Sequence, residues 1–334
     1  MRFLGRITLA LSALALSSAP AWSWGTEGHL TVGMVADMIL KNDPAGATAK
    51  QLLGNATLSE AAIWADCAKG ICHRPVSPDE QTYVDNNPEH KTYHYTDVPI
   101  QQPQYKLGAA GTRDNDIVQV SKQAINILRG RPPNQGPAVL DRKSALWVLA
   151  HLVGDVHQPL HVGAIYFDEN CEEVVDPNIV GAGMPNFGIG STVASTDGGN
   201  DLKLPNGKSF HVTYWDEGTV TGAMRLAGVK KKNVQDFAAY IVGHAPSGWE
   251  TTGDPDTWPT QWATEIMPLA NAALSRVEIG DATHAETEER GPKCTWPVTL
   301  PRDYTSWANE RALAQLTKAG FRLAALLRAV FTSH

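Results

Sequence analysis

The segment His151-Leu-Val-Gly-Asp155-Val-His157-Gln-Pro-Leu-His161 carries four metal-capable side chains within eleven residues. It constrains the fold more tightly than any other stretch of the chain. His151 and Asp155 are four apart, so on a helix they share one face. Pro159 has no amide hydrogen and disfavours continued helix, which places His161 just past a helix end or kink. Imidazole and carboxylate together suit zinc better than calcium or magnesium. As ordinary core residues, three histidines and an acid would load one short element with polar groups that each need a buried partner. A metal site is the better expectation.

Helical periodicity surrounds the motif. The spacing predicts helices over 26–41, 58–66, 115–129, 141–158, 233–244, 260–279 and 305–331. Thr26 is placed to cap the first of these, and Asp43-Pro44 follows its end. From about 163 to 209 the pattern dissolves into Gly, Pro, Asn and Asp, a long irregular segment of the kind that often carries function. Hydrophobic residues make up 43% of 334, enough for a sizeable core. With no repeat or linker in view, the expectation is a mainly α, single helical domain over 24–334 with long irregular loops.

The first 23 residues read as a secretory signal. Arg2 and Arg6 precede the apolar run Ile7–Leu16, and Ala21-Trp22-Ser23 is a small-x-small cleavage site ahead of Trp24. The apolar run is short for a membrane span. A secreted or periplasmic protein is expected, with no membrane partner. Such a compartment favours disulfides among Cys67, Cys72, Cys171 and Cys294. Three pairings are possible, and a local Cys67–Cys72 loop with a long-range Cys171–Cys294 staple is the most economical. Removing the two leader arginines leaves 26 basic against 35 acidic residues, a net charge of −9. That excludes nucleic-acid binding on a broad basic face. It does not exclude binding at a metal centre, where the ion is often the largest local charge.

Further candidates lie far from the motif. Trp24-Gly-Thr-Glu-Gly-His29 would open the mature chain, and a free α-amine with its own carbonyl can chelate a metal. Trp64-Ala-Asp66, Tyr93-His94-Tyr95-Thr-Asp97, Gly198-Gly-Asn200 and His211-Val-Thr-Tyr-Trp-Asp216 add acids, histidines and an amide. Taken singly, each is weak.

In their order along the chain these pieces resemble the zinc-dependent single-strand nucleases of the S1/P1 type, including the plant bifunctional nucleases. The resemblance runs from Trp24 to Asp216 and implies the helical fold shared with phospholipase C, holding three zinc ions. Carried over by position, Asp66, His94, His151 and Asp155 would hold one ion. The amine and carbonyl of Trp24, His29 and Asp155 would hold a second, with Asp155 bridging the two. His161, His211 and Asp216 would hold the third, and His157 would support a ligand from behind. One departure stands out: the family spaces its last histidine and aspartate four apart, whereas His211 and Asp216 are five apart. On an ideal helix that extra step is about 100°. Either an inserted residue bulges out, or His211 leaves from an extended segment.

The resemblance also implies the chemistry. A water between two zinc ions, its pKa drawn toward neutrality, would attack phosphorus and release 5′-phosphorylated products. Lys69 matches a lysine near the scissile phosphate, where it would offset transition-state charge. Tyr95 matches an aromatic that stacks on a base, and Asp97 an acid at the base edge. Asn200 would help position phosphate; alternatively the glycines before it simply make a turn. Single-stranded DNA and RNA and 3′-nucleotides are the expected substrates, with no stable protein partner. A zinc phospholipase C and a non-catalytic exported zinc-binding protein are the rival readings. The short Trp24–His29 spacing and Asp97 argue against the first, and Lys69 and Tyr95 against the second.

Overall fold

The computed structural model describes residues 24–72, 74–131, 136–180, 193–245, 247–285 and 293–332, so the expected leader lies outside the described residues. Helices dominate. In chain order they are α1 (Gly25–Ile39), α2 (Pro44–Leu53), α3 (Leu58–Ala68), α4 (Pro78–Asn86), α5 (Ile117–Leu128), α6 (Arg142–Asp155), α7 (Pro177–Val180), α8 (Thr219–Leu226), α9 (Val234–Gly243), α10 (Trp258–Ser275) and α11 (Tyr304–Thr332). All seven predicted helices are present within a few residues of their expected ends. The four helices without a predicted counterpart, α2, α4, α7 and α8, are ten residues or shorter. The equally short α9 is richer in large apolar residues, whereas α4 has only Tyr83 and Val84, too few for periodicity to stand out.

Local signals explain most helix ends. Thr57 opens α3 and Ser77 opens α4 through reciprocal capping boxes with Glu60 and Glu80. α6 stops at Asp155, three residues before its predicted end, because Gln158 precedes proline and adopts an extended conformation. The start of α1 departs from expectation. Thr26 lies within the first turn, and the capping position belongs to Trp24 in the left-handed region with φ 31°. The buried Trp24 fixes that entry itself: its carbonyl accepts from Gly28 N and its indole donates to Gly154 O.

α1 packs against α3, α9 and α11, and α6 against α3 and α5, so the site-bearing helices α1, α3 and α6 share one core. A second apolar cluster gathers Phe210, Trp215, Trp296 and Tyr304. The segment expected to be irregular contains short strands at Gly163–Ala164, Tyr166–Asp168, Val193–Ser195 and Leu202–Lys203. Leu202–Lys203 pairs in parallel with Lys293–Thr299, a strand the helical reading overlooked. Disulfides join Cys67 to Cys72 and Cys171 to Cys294. Among the described residues no helix is long and apolar enough to cross a membrane.

Candidate metal centre

Five segments converge at the motif. α1 brings His29, the C-terminal turn of α3 brings Asp66, and α6 brings His151 and Asp155. The 3₁₀ turns His90–His94 and Pro159–His161 bring His94 and His161. All six side chains are buried. The two oxygens of Asp155 face different partners. Oδ1 lies 3.1 Å from His29 Nε2, while Oδ2 lies 3.0 Å from His151 Nε2 and 3.1 Å from His94 Nδ1. Asp66 Oδ1 stands 3.6 Å from His151 Nε2 and 3.8 Å from His94 Nδ1. Gly154 makes the approach possible, since a Cβ there would sit 2.8 Å from His29 Nδ1.

A second group forms across the motif's far end. His161, His211 and Asp216 converge, with Asp216 Oδ1 at 3.9 Å from His161 Nε2 and 3.6 Å from His211 Nε2. The five-residue spacing of the last two is accommodated by a π-helical turn over Phe210–Gly218. Its closing bond runs from Thr219 N to Tyr214 O, an i→i+5 pattern that brings residues five apart back to nearly one face. Of the two alternatives, the structure takes the inserted residue, spread through the whole turn. Gly198, in the left-handed region at φ 58°, lets the neighbouring turn pass beneath; a Cβ there would meet Leu160 O at 2.2 Å.

These donors fit a cation. The ligand-atom separations of 2.9–3.9 Å bracket the roughly 3.3 Å edge of a tetrahedron with bonds of about 2.0 Å. His151 Nδ1 lies 2.6 Å from Ala62 O, and His161 Nδ1 lies 2.9 Å from His94 O. A carbonyl only accepts, so each Nδ1 carries a proton and each Nε2 is turned to the site, its lone pair available once the ring is neutral. His161 Nε2, His211 Nε2 and Asp216 Oδ2 are buried without a hydrogen-bond partner among the described residues. Each such group costs about 1–3 kcal/mol unless something compensates it. A further grouping, Cys171, His284 and Cys294, has both sulfurs engaged in the disulfide.

Electrostatics separates the two ends. Burial pushes the Asp66 carboxyl up, but Lys69, His151 and His94 outweigh it and hold the group at about 2. Burial acts likewise on Asp155, yet His151 and its other imidazole neighbours draw it well below the usual range. Burial holds His94 at about 3 and His161 at about 4, and depresses His29 and His211. Asp216 is pushed well up by burial, only softened by Gln158. Asp66 and Asp155 are thus ionised beside Lys69 and His151, and the two carboxylates outweigh burial to raise the pKa of His151, whereas Asp216 awaits a positive charge to ionise it.

The other expected residues surround this centre. Lys69 caps α3 with its ammonium 2.7 Å from Asp66 Oδ1, and its side chain is only 7% exposed, so it is no solvated surface lysine. Tyr95 is half-buried, with the Arg113 guanidinium over its ring at 5.9 Å. Asp97 is buried and its Oδ1 has no hydrogen-bond partner among the described residues; burial, with Asp197 nearby, drives its pKa well up. A protonated Asp97 donates as well as accepts. Asn200 closes its own turn, donating to Asp197 O and accepting from Ser209 Oγ. His157 turns away from both groups of ligands and meets Arg322. Gln158, which sequence reasoning passed over, donates to Asp216 Oδ1 at 2.8 Å. Its only signal was its place inside the motif.

Histidine and aspartate groups sharing one carboxylate in a helical frame define a class of buried site that could hold metal ions. The S1/P1 nuclease family model matches residues 24–332, and the chain belongs to that family. It is similar to Nuclease S1 of Aspergillus oryzae, at 32% identity over 49% of this chain and 51% of that protein. That alignment spans about half of either chain. Endonuclease 1 of Arabidopsis thaliana is 23% identical over 98% of this chain and 93% of its own length. Endonuclease 2 of the same plant is 27% identical over 97% of each.

Proposed function

We propose that the mature protein, residues 24–334 as a single domain freed of a signal peptide at 1–23, is an exported zinc-dependent nuclease. It cleaves single-stranded DNA and RNA to 5′-phosphorylated products and removes 3′-phosphate from nucleotides. The observation that carries this reading is the division of Asp155, whose two oxygens face separate histidine sets. Asp66, His94, His151 and Asp155 would hold one zinc. Trp24, through its amine and carbonyl, would join His29 and Asp155 on a second. His161, His211 and Asp216 would hold the third. Bound zinc supplies Lewis acidity and a water acidic enough to ionise near neutrality.

The chain's own groups account for selectivity. Tyr95 offers a partly open aromatic face on which any unpaired base can stack. Asp97 meets the base edge with a donor and an acceptor when protonated. A paired base inside a duplex can reach neither group, since both lie beside a buried centre. Lys69 is already charge-paired with Asp66, and its ammonium would offset the charge that builds up on phosphate. Gln158 keeps Asp216 aimed at His161 and His211.

The purified mature protein should degrade denatured DNA and RNA much faster than duplex, and a chelator should stop it. Turnover of phosphatidylcholine without nucleic-acid cleavage would instead support the phospholipase reading. Residues left ahead of Trp24 convert its amine to an amide and should abolish activity with loss of one zinc. Full activity of such a protein would remove Trp24 from the ligand set.

A further inference from the structure

The histidine in the motif that faces no other ligand has an unusual environment. His157 is buried, and its Nε2 lies 3.0 Å from Arg322 Nη1 on α11. Arginine stays protonated and has only donors, so Nε2 must accept. The proton therefore sits on Nδ1, which donates to Val153 O at 2.7 Å. That carbonyl belongs to the last turn of α6, where backbone donors run out. The His157 amide bonds instead to Gly154 O, a tightened i→i−3 step. His157 thus caps the helix that ends in Asp155, and Arg322 dictates the tautomer with which it does so.

Arg322 is itself held on every side. Its Nε donates to Trp249 O at 2.7 Å, its Nη2 pairs with Glu265 at 2.5 Å, and its guanidinium lies 5.8 Å from the Trp262 ring. Glu265 is fixed in turn by Lys318 at 2.6 Å. This assembly from α10 and α11 grips the turn that runs from Asp155 to His161. Across that turn, Gln158 N bonds to Asp155 O and His161 N to Gln158 O, while the Gln158 amide holds Asp216. Whatever fixes the turn fixes Asp155 relative to His161 and Asp216.

We propose that Arg322, acting through His157, is a positioning residue that sets the spacing between the Asp155 end and the Asp216 end of the metal centre. This rests on the zinc reading above. Arginine suits the task because its planar fork engages three partners at once, and the buried imidazole passes the constraint to a helix terminus. Partners behind metal ligands commonly govern affinity by about 10–100-fold when lost.

The test compares the mature protein with Arg322→Met, His157→Leu, the double variant and Arg322→Lys. One readout is zinc retained against a competing chelator. Another is hydrogen exchange at amides 156–162 of the metal-stripped protein. Arg322→Met should weaken retention of zinc by about tenfold. It should also speed exchange at 156–162 well beyond that in α1 and α3. Arg322→Lys should recover part of both effects, and the double variant should be no worse than Arg322→Met. Unchanged retention and exchange in a folded variant would overturn the proposal, as would acceleration spread evenly over all helices. A wild-type protein without zinc would refute the metal reading, while the exchange measurement would still decide the clamp. Nitrogen chemical shifts of wild-type His157 give an arm free of mutation: the Nδ1–H tautomer is required, and an Nε2–H ring would sink the assignment.

Discussion

At the scale of single residues, the centre depends on what each polar atom faces. Asp155 is the clearest case, because Oδ1 and Oδ2 address different histidines. Asp155→Asn keeps the size and one oxygen but removes the charge, so two of three zinc ions should leave together. Elemental analysis of the purified variant checks this, and loss of a single zinc would argue against a shared carboxylate. The pairing of His151 with Asp155 was legible in the sequence, since a four-residue step on a helix is a local rule. The task of Gln158 was not, because it is defined by Asp216, 58 residues further on.

At the scale of elements, the π-helical turn shows what an inserted residue does. Spread over Phe210–Gly218, it absorbs the extra step and keeps His211 within 3.6 Å of Asp216. Deleting Thr213 should let the turn relax to the ordinary i→i+4 pattern with both ligands still on one face. The deletion variant should then keep its full zinc content, as measured against a chelator. Selective loss of one zinc would mean that the wider turn is itself required. Sequence reasoning identified the anomaly from spacing but left its form open, because hydrogen-bond register is settled by what the turn packs against. Phe210 and Trp215, both fully buried in the second apolar cluster, anchor this one.

At the scale of the whole molecule, burial couples the centre to stability. His94 and His157 are held at about 3 and His161 at about 4, against an ordinary value near 6.5. These three imidazoles therefore bind fewer protons in the folded chain than in the unfolded one across that interval, against the raised carboxyls of Asp97 and Asp216, which bind more. Their contribution to stability is fully present above about pH 6.5 and is lost as the pH falls toward 3–4. The melting temperature of metal-stripped protein should fall steadily once the pH drops below 6.5. A flat profile down to pH 4 would show these imidazoles to be solvated. Zinc should raise the whole curve and steepen its acid side, since protons compete for the same nitrogens.

The chain alone determined the long amphipathic helices, the break before Pro159 and the sharing of one face by His151 and Asp155. These follow from bonds reaching three or four residues, so a short window of sequence contains their cause. Tertiary structure decided the rest. It brought Cys171 to Cys294, a pairing that economy alone favours, gave Asp155 two sets of partners, and turned His157 toward Arg322 while Gln158 took up Asp216. It also locked Trp24 against Gly154 across 130 residues. Such contacts are fixed by how whole helices bury their apolar faces, and no local spacing encodes which distant polar atom arrives at the same place.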